Sequence, residues 1–274
     1  MERLLLRTNV IVNITGDRKA LTAATSGPGG EAMKALLDAL PEGSGSFRLL
    51  RRETPQDCNA TSRWAQDALE KGHFSGAKQV AVVVPAAVSD MCLSVPIGPI
   101  GTKWSGADLV GAAYLEGTFL WDKVREQQGA YGAWALISAA GVFSLLSFSD
   151  PEILLTLEAL RSTPAVAQTW AEQADDIEIL EAIFPAISLL DRPEKLSAKG
   201  LTSFWRWIKG ETHDYMNEFR RQIITMTKGD IKKFADKLKD ALRPNMQSIT
   251  LIGSEAVAMA VRESGEPLEI IRAN

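Results

Sequence analysis

The strongest pattern in the sequence lies in residues 120–150, which read LWDKVREQQGAYGAWALISAAGVFSLLSFSD. The beginning of this stretch continues an amphipathic pattern, because apolar residues recur at helical spacing over residues 105–126. Two apolar runs follow at 131–137 and 142–148, and Gly141 between them suits a tight turn. The stretch therefore predicts the end of a helix, a short connection and a β-hairpin.

The rest of the chain predicts further strands and a run of helices. Asp150-Pro151-Glu152 favours a helix start, since aspartate can cap it, and proline and glutamate suit its first turn. Thr227 and Asp230 form a capping-box pattern. The predicted strands are 9–14, 78–85, 91–95, 248–252 and 268–271, and the other predicted helices are 31–40, 152–172, 175–190, 198–209, 213–226, 229–242 and 254–262. A hairpin, then helices, then two late strands predict an α+β fold, with a mixed, mostly antiparallel sheet and helices packed on one face.

Composition limits the size of the fold and the class of partner. The 274 residues are 46% hydrophobic, which is enough for one large domain or two small ones. A net charge of −4 indicates no nucleic-acid partner, and no apolar run reaches the length of a membrane span. Cys58 and Cys92 are too few for a disulfide framework and are expected to be free thiols. Residues 1–7 are too short for a signal peptide.

Turn-forming residues suggest where the chain divides. Residues 41–46 read PEGSGS, the most linker-like segment, and residues 27–30 (GPGG) are expected to interrupt the chain. We therefore assign residues 1–40 to the terminal strand and helix of a preceding subdomain, 41–77 to a linker region and 78–274 to a C-terminal domain without a zinc motif. Because the chain starts just before a strand of that preceding subdomain, we expect it to be a fragment of a longer protein.

The residues for several kinds of chemistry are missing from the sequence. His73 and His213 are the two histidines, and neither has a histidine partner one helical turn away, so H-E-x-x-H and H-x-x-E-H are both absent. There is also no G-x-S-x-G, no P-loop and no dinucleotide fingerprint. Trp205 and Trp207 are better explained by half-buried packing than by a binding patch. We expect this chain to bind no metal, and an independent small-molecule enzyme has no site to support it.

Residues 120–150 resemble the insulinase/pitrilysin superfamily of zinc metallopeptidases, and most closely its presequence protease branch. That branch has a helix ending in Leu-Trp-(Asp)-x-(Val/Ile)-Arg, a short gap, Gly-Ala-Tyr-Gly, a hairpin containing glycine and an Asp-Pro pair. The matching residues are Leu120, Trp121, Asp122, Val124, Arg125, Gly129, Ala130, Tyr131, Gly132, Gly141, Val142, Phe143, Asp150 and Pro151. Weaker likeness at 9–17, 191–193, 199–200 and 219–221 extends the resemblance over nearly the whole chain. It implies the LuxS/mitochondrial-processing-peptidase-like metallohydrolase fold.

The resemblance implies a part of a peptidase that works with a second part. In the family, two homologous halves enclose a chamber, the N-terminal half binds zinc and the C-terminal half has lost the metal. This chain is then expected to be the C-terminal part of a zinc metalloendopeptidase that degrades short unstructured peptides, and to be inactive in isolation. Its expected partners are a zinc-bearing N-terminal half, on the same or a separate chain, and peptide substrates, with no nucleic acid and no membrane. Zinc is expected in the complete enzyme. Relatives are organellar or bacterial, so the compartment stays open.

By motif position, the resemblance assigns catalytic roles to Arg125 and Tyr131. In the family, zinc polarises the peptide carbonyl from one side, while a guanidinium and a phenol donate hydrogen bonds to the oxygen or to the substrate backbone. Gly129 and Ala130 are assigned to substrate binding, because their turn would bring the arginine and the tyrosine to a common surface.

One departure from the family pattern affects this assignment. The family commonly has Ser-Tyr-Arg-Asp-Pro after the hairpin, whereas residues 147–151 read SFSDP. Contacts made by that tyrosine and arginine in relatives are therefore in question at Phe148 and Ser149. The alternative is a non-catalytic scaffold or partner subunit of the same superfamily, in which the chamber wall persists without chemistry.

Overall fold

The computed structural model describes Arg7 and residues 10–42, 79–98, 103–138 and 141–272. The chain forms two compact units: a smaller unit of Met1–Glu53 with Arg192–Met216, and a larger unit of Thr54–Asp191 with Asn217–Asn274. Most of the predicted linker at 41–77, together with Cys58 and His73, lies outside the described residues. The predicted division at residues 40 and 77 stays a prediction.

The helices and strands follow one another in a simple order along the chain. The helices are α1 (Arg18–Thr25), α2 (Gly27–Asp38), α3 (Gly106–Tyr114), α4 (Ile153–Gln173), α5 (Asp176–Leu190), α6 (Leu196–Lys209), α7 (His213–Ile224), α8 (Lys228–Ala241) and α9 (Glu255–Glu263). A π-helical stretch, Leu115–Gln127, continues α3 and is called the π segment. The strands are β1 (Gln79–Val83), β2 (Ser89–Pro96), β3 (Gly132–Ser138), β4 (Val142–Asp150), β5 (Ser248–Gly253) and β6 (Glu269–Arg272). No described helix is long and apolar enough to cross a membrane.

The larger unit is built on one six-stranded sheet with the order β3-β4-β2-β5-β1-β6. The pairs β3–β4, β4–β2 and β2–β5 are antiparallel, whereas β5–β1 and β1–β6 are parallel. The predicted α+β class with a mixed, mostly antiparallel sheet is therefore confirmed.

Alternation along the strands gives the sheet one buried face. In β2, Met91, Leu93 and Val95 are buried, while the residues between them are partly exposed. The buried face packs on the π segment, α4, α8 and α9 in a single apolar cluster, which includes Leu93, Leu120, Val124, Phe143, Leu145, Leu157, Leu160, Leu238, Ile249, Leu251 and Val261. The opposite face presents Cys92, Ser94 and Ser144, and the Ser94 and Ser144 hydroxyls are 2.8 Å apart. Packing of the helices on one face agrees with the prediction.

The capping signals explain where several helices begin. Ser105 and Asp108 form a capping box at α3, and Thr227 and Asp230 form the predicted one at α8. Asp150 ends β4, and its side chain accepts a hydrogen bond from the Glu152 backbone N–H at 2.8 Å, just before α4. A helix therefore begins close to the Asp-Pro-Glu signal, as predicted. The predicted roles of these residues are wrong, because Glu152 is the N-cap residue, Pro151 precedes it and Asp150 is still in the strand.

Two predictions in the smaller unit are wrong. Residues 27–30 do not interrupt the chain but form the first turn of α2, because proline suits a first turn and Gly29 allows a close approach to α1; a Cβ there would lie 2.0 Å from the Ala23 carbonyl oxygen. The predicted strand at 9–14 does not form over Val10–Ile14. A strand needs a neighbour for its backbone groups, and here the Asn13 side chain instead donates to the Gly200 carbonyl at 3.1 Å.

Candidate functional site

A short turn joins the π segment to β3 and carries the predicted site. Gly129 has a backbone φ of +84°, a conformation that favours glycine. The Gly129 N–H donates to the Arg125 carbonyl at 3.0 Å, and the Ala130 N–H donates to the Val124 carbonyl at 3.2 Å. Tyr131 then joins the hairpin, since its N–H donates to the Phe148 carbonyl at 3.0 Å. Backbone hydrogen bonds therefore fix the end of the helix relative to the start of the strand.

Arg125 lies at the helical side of this turn. Its guanidinium carbon is 3.8 Å from the centroid of the Trp121 ring, and Trp121 itself is 50% exposed. This is the geometry of a cation–π contact. In the part of the chain that the structure describes, the Arg125 side chain makes no ion pair. Stacking uses the flat face of the guanidinium, so its in-plane N–H donors stay available to a ligand.

Tyr131 lies at the strand side of the turn and is 73% exposed. Its ring meets the Phe148 ring edge-on at a centroid distance of 6.1 Å, and Phe148 in turn is 6.4 Å from the Trp134 ring. Gly132 makes this arrangement possible, because a Cβ there would lie 2.6 Å from the Trp134 ring. The phenol is therefore supported by aromatic neighbours.

Gly129 and Ala130 differ in what they present to solvent. Gly129 is exposed, whereas Ala130 is buried in the apolar cluster of the larger unit. Both N–H groups are used inside the turn. The turn therefore positions Arg125 and Tyr131. The backbone N–H groups of Gly129 and Ala130 are not available to a substrate, so a substrate could contact only their other atoms.

Phe148 and Ser149, where the sequence departs from the family pattern, both make defined contacts in the structure. Phe148 provides the ring edge for Tyr131. Ser149 has a φ of +49°, and its N–H donates to the Asp90 carboxylate at 2.8 Å. Phe148 thus contributes a ring beside Tyr131, and Ser149 contributes a short hydroxyl side chain next to it.

The described residues do not provide a zinc site. They contain no group of three or more His, Cys, Asp or Glu side chains that could hold a metal ion. His213 begins α7, and His73 lies outside the described residues. A catalytic zinc usually needs three protein ligands, so the donor set in this part of the chain does not fit one.

The site also contains residues that the sequence did not single out. Trp121 belongs to the quoted motif but received no role from the sequence, and in the structure its ring contacts Arg125. The sequence did contain a signal for this contact, because Trp121 and Arg125 are four residues apart on one helix, a spacing at which side chains meet. Phe148 was noted only as a departure, and its contact with Tyr131 depends on strand pairing.

A cavity of about 500 Å³ lies elsewhere in the larger unit, beside the start of α3 and against α8. Charged groups lining it pair with one another: Lys237 with the buried Asp108 carboxylate at 2.9 Å, and Lys233 with Asp230 at 2.9 Å. The Lys237 ammonium also lies 4.9 Å from the Trp104 ring centroid. Lys237 thus connects α8 to the start of α3, whereas the Lys233–Asp230 pair lies within α8.

Comparison with known proteins places the chain in a family. Residues 79–255 match the family model described as PreP C-terminal domain. The chain is 28% identical to presequence protease 1, chloroplastic/mitochondrial, of Arabidopsis thaliana over 98% of its own length and 22% of that protein. It is 30% identical to protein HypA of Clostridium perfringens over 57% of its own length and 16% of that protein. The chain thus spans about a fifth, or less, of the relatives it matches.

Solved structures show the same fold at low sequence identity. Pitrilysin aligns with a TM-score of 0.51 and 16% identity over 99% of this chain and 30% of its own. A protease from Helicobacter pylori aligns with a TM-score of 0.50 and 11% identity over 82% of this chain and 51% of its own. The sheet and its helices therefore have the predicted metallopeptidase-type architecture.

Proposed function

The chain belongs to the PreP C-terminal domain family, and from that premise we propose that it is the C-terminal part of a zinc metalloendopeptidase that degrades short unstructured peptides. The metal and its ligands would belong to an N-terminal half, on the same chain or a separate one. In isolation the chain would then be inactive. The names of several relatives place them in mitochondria or chloroplasts, so an organelle is one candidate location for this chain.

The observation that carries this proposal is the pair of donors at the two ends of one short turn. Arg125 presents a guanidinium without an ion pair in the described part, and Tyr131 presents an exposed phenol. In amide hydrolysis the carbonyl oxygen gains negative charge in the transition state, and fixed hydrogen-bond donors stabilise it. A guanidinium and a phenol are donors of the right kind, and the turn holds their backbones in a fixed relation.

Complementation tests the proposal directly. This chain would be mixed with, or fused to, a presequence protease that keeps its zinc-bearing half and lacks only the segment that this chain matches, and cleavage of a short fluorogenic peptide would be followed. We expect Arg125→Ala to lower kcat/KM by about 10²–10³-fold, as is typical for loss of one transition-state donor. We expect Tyr131→Phe to lower kcat/KM as well, because it removes the hydroxyl donor while keeping the ring.

A matched control comes from the same helix. Glu126 is exposed on the same π segment, next to Arg125 in sequence, so Glu126→Gln removes a charge near the site without touching either proposed donor. It should leave cleavage unchanged. Full activity of Arg125→Ala in the reconstituted peptidase would contradict the proposal and favour the scaffold or partner-subunit alternative.

A further inference from the structure

The π segment pairs its side chains differently from an α-helix. In an α-helix, residues three and four apart are neighbours, so Asp122 and Arg125 would be placed to form an ion pair. In the π segment, the Asp122 carboxylate accepts a hydrogen bond at 2.7 Å from Gln127, five residues later. Gln127 in turn accepts from the Lys123 ammonium at 3.2 Å. Asp122 is therefore engaged away from Arg125.

With its acidic neighbour engaged elsewhere, Arg125 lies on an aromatic ring. Its guanidinium carbon is 3.8 Å from the centroid of Trp121, four residues earlier. A carboxylate partner would occupy the same edge donors that a peptide carbonyl needs. A ring contacts only the face and leaves those donors available.

We propose that Trp121 is the positioning residue that holds the Arg125 guanidinium flat, with its edge free for a ligand. The proposal rests on the proposed function of this turn and adds to it a residue that acts through Arg125. In the π segment the Asp122 carboxylate bonds to Gln127, five residues later, and the Arg125 guanidinium lies on the Trp121 ring. Such segments are rare and are found frequently at functional sites.

Kinetics of the reconstituted peptidase test this role. We expect Trp121→Leu to lower kcat by about two- to thirty-fold with KM nearly unchanged, which is the range of one cation–π contact expressed as a rate. Trp121→Phe keeps a ring and should retain most of the activity. In an Arg125→Ala background, Trp121→Leu should have no further effect, because nothing is left to position.

Trp205→Leu provides the control for loss of an exposed indole. Trp205 is 50% exposed, the same fraction as Trp121, and lies on α6 in the smaller unit. Trp205→Leu should therefore leave kcat unchanged.

A second measurement on the isolated chain does not depend on activity. An arginine over an indole experiences its ring current, so the NMR signal of the Arg125 Nε–H should lie upfield of ordinary arginine signals. Trp121→Leu should move it back, while Trp121→Phe should keep part of the shift.

The outcomes separate the two proposals. If Arg125→Ala is fully active, the proposed function fails and the positioning role fails with it. If Arg125→Ala is impaired but Trp121→Leu is active, or its effect multiplies with that of Arg125→Ala, only the positioning role is overturned. An Arg125 Nε–H signal that Trp121→Leu does not move would also overturn it.

Discussion

Ser149 adopts left-handed backbone with a φ of +49°, which no other non-glycine residue does within the described part of the chain. It lies next to Phe148, the ring that supports Tyr131. Its N–H is held by the Asp90 carboxylate, and the following Asp150 is buried and bonded to the Glu152 N–H. Strained backbone beside the ring that contacts Tyr131 is maintained here by hydrogen bonds on both sides.

Relieving this strain should raise stability slightly. A left-handed conformation costs an ordinary residue about 1–2 kcal/mol, whereas added glycine freedom in the unfolded chain costs about 0.4–1 kcal/mol. We therefore expect Ser149→Gly to raise the free energy of unfolding by about 0.5 kcal/mol. Ser149→Val should lower it, because a branched side chain suits this conformation least. Urea unfolding of the isolated chain measures both, and a glycine variant less stable than the wild type would show that the serine side chain contributes more than the strain costs.

Among the elements, α4 is tied to the parallel side of the sheet by a polar network. Arg161 of α4 makes a bidentate ion pair with Glu266 at 2.6 and 3.0 Å, just before β6. Its Nε also donates to the Gln247 side chain at 2.9 Å, just before β5. Hydrogen bonding from Arg161 lowers the pKa of the Glu266 carboxyl, although burial acts in the opposite direction, and Gln79 of β1 contributes a further hydrogen bond. Arg161 thus connects α4 to the segments that lead into β5 and β6, and Glu266 extends the network to β1.

Acid should weaken this connection. A carboxyl whose pKa is lower in the folded state stabilises the fold above its unfolded pKa, and this contribution is lost as the pH falls through the folded value. We expect Glu266→Gln to lower the free energy of unfolding by about 1–3 kcal/mol at pH 7, as for other hydrogen bonds to charged groups. The difference from wild type should narrow below about pH 4.5, where the unfolded carboxyl begins to protonate.

Urea unfolding at pH 7 and pH 3 measures this effect. Glu263→Gln is the control, because Glu263 is exposed near the end of α9. An equal stability difference for Glu266→Gln at both pH values would argue against the ion pair as its source.

In the molecule as a whole, the larger unit carries its own apolar core on one sheet face. The described residues contain no group of three or more His, Cys, Asp or Glu side chains that could hold a metal ion. The other face of the sheet contains uncharged residues such as Cys92, Ser94 and Ser144. A core of this kind provides the stability that small metal-dependent domains obtain from zinc.

The isolated chain should therefore fold without zinc. We expect elemental analysis of purified chain to find no stoichiometric zinc, and the thermal unfolding midpoint to be the same with and without a chelator. One tightly bound zinc per chain, or a clear drop in that midpoint on chelation, would contradict both this prediction and the assignment of the metal to another half.

Local patterns were sufficient to predict much of this molecule. The hairpin of β3 and β4, the helix before it and the capping box at Thr227 depend on neighbouring residues, and the structure has all of them. Arg125 and Tyr131 were assigned through motif resemblance, and the structure places them at the two ends of one turn, while their catalytic roles stay a proposal. Such local patterns can be recognised in the sequence because the geometry of a helix end or a hairpin depends on a few neighbouring residues.

Long-range packing decided the rest. The placement of β5 between β2 and β1 joins segments about 170 residues apart, Gln79 with Ile249 for example, and no local pattern encodes such a pairing. The glycines at 27–30 form a helix because another helix packs against them. The contacts of Asp122 with Gln127 and of Arg125 with Trp121 are likewise known only from the structure, because the sequence spacing allows Arg125 either neighbour. An arginine can satisfy its charge in several ways, and the three-dimensional positions of its neighbours select one.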